Sequence, residues 1–104
     1  MHAIIRRYSI KGSIDRKTMD DLKRQTEEKF TPVLQDIRGV HSYYLVNVND
    51  KELVSIGVFE DMTGAAESTR RAAEFVKTLP IQLGSPEIME GELLVSREAT
   101  VGAR

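Results

Sequence analysis

The chain contains no cysteine and no tryptophan. Without cysteine there can be no disulfide framework, no thiolate metal site and no cysteine nucleophile. A long apolar run is also missing. The opening residues MHAIIRRYSI are interrupted by Arg6 and Arg7 before a signal-peptide core or a membrane span could form, which predicts a cytoplasmic protein without a membrane partner. Charge of one sign is not in excess: 15 Lys and Arg face 16 Asp and Glu, a formal charge of −1, with no block of like charge. Nucleic acid is therefore not an expected partner. There is no glycine-rich phosphate loop, and His2 and His41 do not belong to a metal-ligand spacing, so no metal or cofactor is expected.

What is present is a regular change of hydrophobic period. Residues 3–10 are rich in β-branched and aromatic residues and stop at Lys11-Gly12-Ser13, which predicts a first strand and a turn. Met19, Leu22, Thr26, Phe30, Val33 and Ile37 then recur at steps of three and four, one helical stripe capped by Ser13 or Asp15. Pro32 lies inside the stripe and predicts a kink or restart, and Gly39 a left-handed end. Residues 40–48 and 53–59 form a hairpin about Asn49-Asp50. Asp61 or Thr63 caps a second helix that ends before Pro80 and buries Ala65, Ala66, Ala72, Ala73, Val76 and Leu79. Residues 80–91 read as an irregular connection and 92–97 as the last strand.

Strand, helix, strand, strand, helix, strand is the order of the ferredoxin-like split βαβ arrangement, an α+β fold whose four-stranded antiparallel sheet carries two helices on one face. One domain over residues 1–97, followed by a frayed tail at 98–104, is expected. The second sheet face is too apolar to be left in water, and Tyr44, Val46, Leu53 and Phe59 would form an exposed patch on a lone copy. A second copy of the chain is the simplest cover, which predicts a homodimer.

Alternation along the strands sorts the candidate site residues. Val54, Ile56 and Val58 suit packing under the helices, and Leu53, Ser55, Gly57 and Phe59 take the other face, where a ligand cavity is tolerated. One of Arg6 and Arg7 must point inward, as an anchor for a carboxylate, phenolate or enolate or as the partner of Glu60 or Glu92. A two-residue loop at Asn49-Asp50 places Tyr44 and Ser42 beside Ser55 and Phe59; a three-residue loop places His41 and Tyr43 there. Tyr44 could orient a phenol or donate a proton, or be an interface aromatic, and His41 could act as a base or hold a structural hydrogen bond.

The segment Arg38-Gly39-Val40-His41-Ser42-Tyr43-Tyr44, followed by Val58-Phe59-Glu60-Asp61 and an alanine-rich helix, resembles the dimeric α+β-barrel superfamily. Arg6-Arg7-Tyr8, the run Glu67 to Ala73 and the closing Gly91-Glu92-Leu93-Leu94-Val95-Ser96 resemble, more narrowly, the small antibiotic-biosynthesis-monooxygenase-like proteins. The resemblance implies two sheets facing each other across a dimer interface, with a pocket between each sheet and its helices for a small, often aromatic molecule. It also implies activities that range from cofactor-free oxygenation to none. Phe59 stands where many monooxygenase-like members carry tryptophan, and no histidine lies near Thr69 and Arg70, where haem-degrading members bind iron. The expectation is a homodimer binding a small organic, aromatic or anionic ligand through Arg6, Arg7, Tyr44, Ser55 and Phe59. Tyr44 and His41 would be the catalytic candidates if it is a cofactor-independent monooxygenase. The alternative is a non-catalytic dimer that senses, sequesters or serves structure.

Overall fold

The Asp15 carboxylate accepts the Thr18 backbone N–H at 2.8 Å and so opens the first helical run. The structure, a computed structural model, describes residues 1–98. Its elements are β1 (His2–Ser9), α1 (Arg16–Gln25), a π-helical turn (Thr26–Phe30), α2 (Thr31–Gln35), β2 (Val40–Val48), β3 (Glu52–Phe59), α3 (Met62–Val76) and β4 (Glu87–Glu92). Pro32 explains the π turn: it has no N–H for the carbonyl four residues back, and its ring crowds that carbonyl. The Thr31 N–H instead reaches back to the Thr26 carbonyl, while its hydroxyl bonds the Glu27 carbonyl. The added residue turns Leu34 into the core where the three-and-four spacing had placed Val33, which is half-buried. Gly39 ends the run at φ +84°, and Asp61 caps α3 through the Thr63 and Gly64 N–H groups.

The sheet order is β2-β3-β1-β4 with every neighbour antiparallel, the ferredoxin-like order. Of the alanines expected under α3, Ala65 and Ala72 are buried, together with Gly64 and Ser68, while Ala66 and Ala73 face outward. Two apolar clusters join helices to sheet. Ile4 and Phe59 pack with Phe30, Leu34, Ile37, Ala65 and Ala72, and Tyr8 and Leu53 pack with Met19 and Leu22.

Two expectations are corrected and one open alternative is decided. The face under the helices is that of Leu53, Ser55, Gly57 and Phe59, and Val54, Ile56 and Val58 lie on the open face. Gly57 and Gly64 give the reason. Both lie against the Phe59 ring, so only the glycine-bearing face lets α3 and an aromatic ring approach closely. Leu53 and Phe59 are consequently core residues, and the exposed patch runs instead through Tyr44, Val46 and Met89. The last strand is Glu87–Glu92 and not 92–97, because β1 begins at His2, which pairs with Glu92. The Leu93 N–H closes the ladder on the Met1 carbonyl, and Leu94 and Val95 are exposed beyond it. Finally, the hairpin loop has three residues. Asn49 and Asp50 have φ +54° and +59°, Lys51 donates to the Val48 carbonyl, and Val48 pairs with Glu52. Apart from Glu98, the expected tail lies outside the described residues.

The packing against Phe59 is directly testable. A Cβ on Gly57 would stand 2.8 Å from Phe59 Cε1, on a ring with no exposed surface. Gly57→Ala should lower unfolding free energy by about 1–3 kcal/mol, the usual cost of overpacking. Gly91→Ala, with nothing within 4 Å of its new Cβ, should change it by less than about 0.5 kcal/mol. Paired urea titrations that gave equal losses would show that this contact does not direct the packing.

Candidate functional site

The register brings four helix-facing residues into one row across the sheet: Ile88, Arg6, Ser55 and Leu45. That row lies between the two apolar clusters, with Ile4 in the row on one side of Arg6 and Tyr8 in the row on the other. Arg6 is 1% exposed. Its Nε–H donates to Ser55 Oγ at 3.2 Å, and its Nη1 donates to Ser68 Oγ at 3.1 Å and to Thr69 Oγ1 at 3.0 Å, both on α3. Nη2 is buried and has no partner. Among the described residues no carboxylate lies within ion-pair distance of this guanidinium. Neither Glu60 nor Glu92 neutralises it, and Glu90 on the same face pairs with His2 at 2.8 Å. An arginine this deep without a counter-ion carries a large desolvation cost that three hydroxyls offset only in part.

Two phenols stand by the charge. The Tyr43 ring is held at 5.5 Å from Phe30, which stacks on Phe75 at 5.1 Å. Burial raises the phenol pKa of both Tyr8 and Tyr43, and the opposing pull of Arg6 on each is weaker. At neutral pH both are therefore protonated, able to donate a hydrogen bond but not to act as a base.

Space around Arg6 is uneven. The cavity between sheet and helices, bounded by Tyr8, Tyr43, Leu53, Ser55, Ala72 and Phe75 among others, measures about 30 Å³, room for about one water. On the other side of Arg6 a groove of about 340 Å³ runs between α3 and the segment 83–86, walled by Arg6, Tyr8, Thr69, Lys77, Leu83 and Gly84 among others. A larger cleft of about 1110 Å³ lies at the start of α3. On its wall Arg70 and Arg71 are both paired with Glu67, whose carboxyl they hold below the usual range; Asp36, Arg38, Glu60 and Asp61 complete its charged lining, and among the described residues it contains no buried unpartnered group. The buried, unsatisfied cation makes the Arg6 groove the candidate site.

Of the residues expected at the site, Arg6 and Ser55 meet in it. Arg7 alternates to the open face and pairs with Glu52 and Glu87 at 3.3 and 3.2 Å. Tyr44 is 58% exposed on that same open face, opposite Ile56, because the third loop residue reverses the pairing; Tyr43 takes the inward place. His41 is the unpaired residue of a bulge between Val40 and Ser42, and its side chain is exposed. Phe59 is buried in the neighbouring cluster, away from the groove. Sequence reasoning missed Ser68 and Thr69 as partners of Arg6, and Tyr8 as its neighbour in the groove. Ser68 did leave a signal: it sits on the buried stripe of α3, three residues after Ala65 and four before Ala72.

No family model matches the sequence, and no curated protein matches it. Solved structures do match. A monooxygenase encoded by ActVA-Orf6 of Streptomyces coelicolor, solved in complex with nanaomycin D, superposes with a TM-score of 0.68 at 14% identity, covering 95% of this chain and 92% of that one. A dimeric ferredoxin-like protein from an uncultured marine organism gives 0.61 at 11% identity, covering 95% and 100%. SnoaB, a cofactor-independent oxygenase from Streptomyces nogalater, gives 0.58 at 13% identity, covering 97% and 96%. The chain thus has the ferredoxin-like fold that these structures share.

Two measurements follow from the geometry. Because the buried charge has no counter-ion, Arg6→Met should be at least as stable as the unaltered protein in urea unfolding; a loss of several kcal/mol would make Arg6 a structural element. In a spectrophotometric titration Tyr8 and Tyr43 should ionise above the ordinary phenol value of 10.0. Since the unfolded chain ionises first, stability is full below about pH 10 and falls as pH rises through the folded pKa values.

Proposed function

We propose that the protein is a homodimer that binds a small organic anion in the groove at Arg6. The observation that supports this most strongly is the buried guanidinium whose Nη2 has no acceptor: an anionic oxygen placed there supplies the missing charge and the missing hydrogen bond together. Tyr8 borders the same groove and, being protonated, is a second donor to such an oxygen.

The homodimer rests on the open sheet face. Met89, Ile5, Ile56 and Tyr44 form one row across all four strands, and Val54 and Val46 lie in the next. Tyr44, Val46 and Met89 are well exposed there, and a stripe of this kind on a sheet is suited to a second sheet. Sedimentation should give twice the single-chain mass, and Tyr44→Lys, placing a charge in the stripe, should shift it toward one chain. A single-chain mass for the unaltered protein would overturn the dimer.

If the bound molecule is converted, cofactor-free oxygenation is the reaction the site suits. A substrate ionised against Arg6 gives electrons directly to oxygen; a methylene becomes a carbonyl, one oxygen atom stays and the other leaves as water. One observation favours the second reading, a dimer that holds its ligand unchanged: among the groups around Arg6 there is no carboxylate or imidazole to remove a proton. Calorimetry with 4-nitrophenolate as a generic anion tests the binding itself. It should bind the unaltered protein and bind Arg6→Gln at least about tenfold more weakly, since a hydrogen bond to a charge is lost. Equal binding by both proteins, or none by the unaltered one, would overturn the assignment.

A further inference from the structure

The hydroxyls that surround Arg6 also restrict what it can bind, a point that rests on the anion-binding role just proposed. A guanidinium grips a carboxylate by a fork of parallel N–H groups on two different nitrogens. Both forks of Arg6 are interrupted. Ser55 takes the Nε–H, which closes the side-on fork, and Ser68 and Thr69 both accept from Nη1, which obstructs the end-on one. Only the hydrogens of Nη2 remain, on a single nitrogen.

The three hydroxyls are not equivalent. Ser68 is sealed in the core, and its own hydroxyl is committed to the Ala65 carbonyl at 2.7 Å. Ser55 is likewise buried, on the central strand β3. Thr69 is half-buried and forms part of the groove wall alongside Arg6 and Tyr8. Its Oγ1, 3.0 Å from Nη1, is the one of the two Nη1 acceptors that belongs to a residue of the groove wall, and so the one that competes there with the second oxygen of an incoming carboxylate.

We propose that Thr69 is the specificity-determining residue of the groove, restricting Arg6 to anions presented through one oxygen and disfavouring carboxylates. Lys77, about two turns beyond Thr69 on the same wall and just past the end of α3, adds long-range attraction for either kind of anion but does not choose between them. The choice lies in the hydrogen that Thr69 occupies. Thr69→Val keeps the shape and branching of the side chain and removes the acceptor; Thr69→Ser keeps the acceptor.

The test compares 4-nitrophenolate with 4-nitrobenzoate, both fully ionised at pH 8.5, by calorimetry on the full chain. The unaltered protein and Thr69→Ser should share one ratio of affinities. In Thr69→Val the ratio should move toward 4-nitrobenzoate by about tenfold or more, the effect of one hydrogen bond to a charged group. If Thr69→Val does not fold, Thr69→Ala removes the same acceptor from a helix that tolerates alanine. Both probes binding with an unmoved ratio would overturn the role of Thr69 and leave the anion site standing. A shift in Thr69→Ser as large as in Thr69→Val would overturn it too, since the acceptor is then not the cause. If the unaltered protein binds neither probe, the anion site falls, and the proposal with it.

Discussion

A positive charge held between two apolar clusters is the constraint around which the rest of this fold is arranged. Most cores of this size are filled by hydrocarbon, because an unpaired ion away from water is among the costliest things a small domain can hold. Here the central strand β1 places Arg6 beneath α3, and the neighbouring elements supply hydroxyls and no carboxylate. Natural folds lose stability of this kind mainly where activity needs it. The composition of α3 fits the same demand. Gly64 and Ala65 bring the helix close to the sheet at its start, and Ser68 and Thr69 follow one turn later, where the guanidinium must be met.

What faces Arg6 is decided at a distance, in the hairpin loop. With Asn49 and Asp50 both left-handed, Lys51 is an added residue between the turn and the β3 ladder. Asn47 stabilises the arrangement by exchanging hydrogen bonds with Asp50 at 2.8 and 3.1 Å. Because side chains alternate with a period of two, that single residue sends Tyr43 inward and Tyr44 outward. Tyr43 then rests on Phe30, the buried last residue of the π turn. Two local irregularities, one caused by Pro32 and the other by the Asn-Asp turn, thus cooperate to furnish one wall of the cavity.

These details mark the limit of what the sequence discloses. The order of elements, the helix caps to within two candidates each, Asp15 or Ser13 and Asp61 or Thr63, the break at Pro32 and the left-handed Gly39 were legible, because each depends on residues adjacent in the chain. The buried face of β3 was misassigned since both of its alternating sets are apolar enough to pack, and only the approach of Phe59 to Gly57 and Gly64 distinguishes them. Strand β4 was displaced because EIMEGE is exposed along its whole length and so carries no burial pattern; its limits are set by where β1 begins. Arg6 was legible as a candidate, but its partners on α3 are more than sixty positions away and are selected by packing.

The open face and the charged groove meet on the same strand. Ile5 and Arg7 point outward from β1 on either side of Arg6, and Ile5 pairs with Ile56 and Met89 in the exposed apolar row. A strand that is covered on one face only keeps the freedom of its outer side chains, and its backbone is correspondingly easier to displace. Packing a second sheet over Ile5 removes that freedom from the residues flanking Arg6. The direction of the guanidinium depends on the pleat of β1, with Ser55 fixed on the adjacent β3 and Ser68 and Thr69 on α3. In the proposed dimer a second sheet would cover the outer side chains next to Arg6 without adding a residue to the groove. The proposed assembly would thus use the outward half of the sheet, while the groups that meet Arg6 all belong to the inward half and to α3.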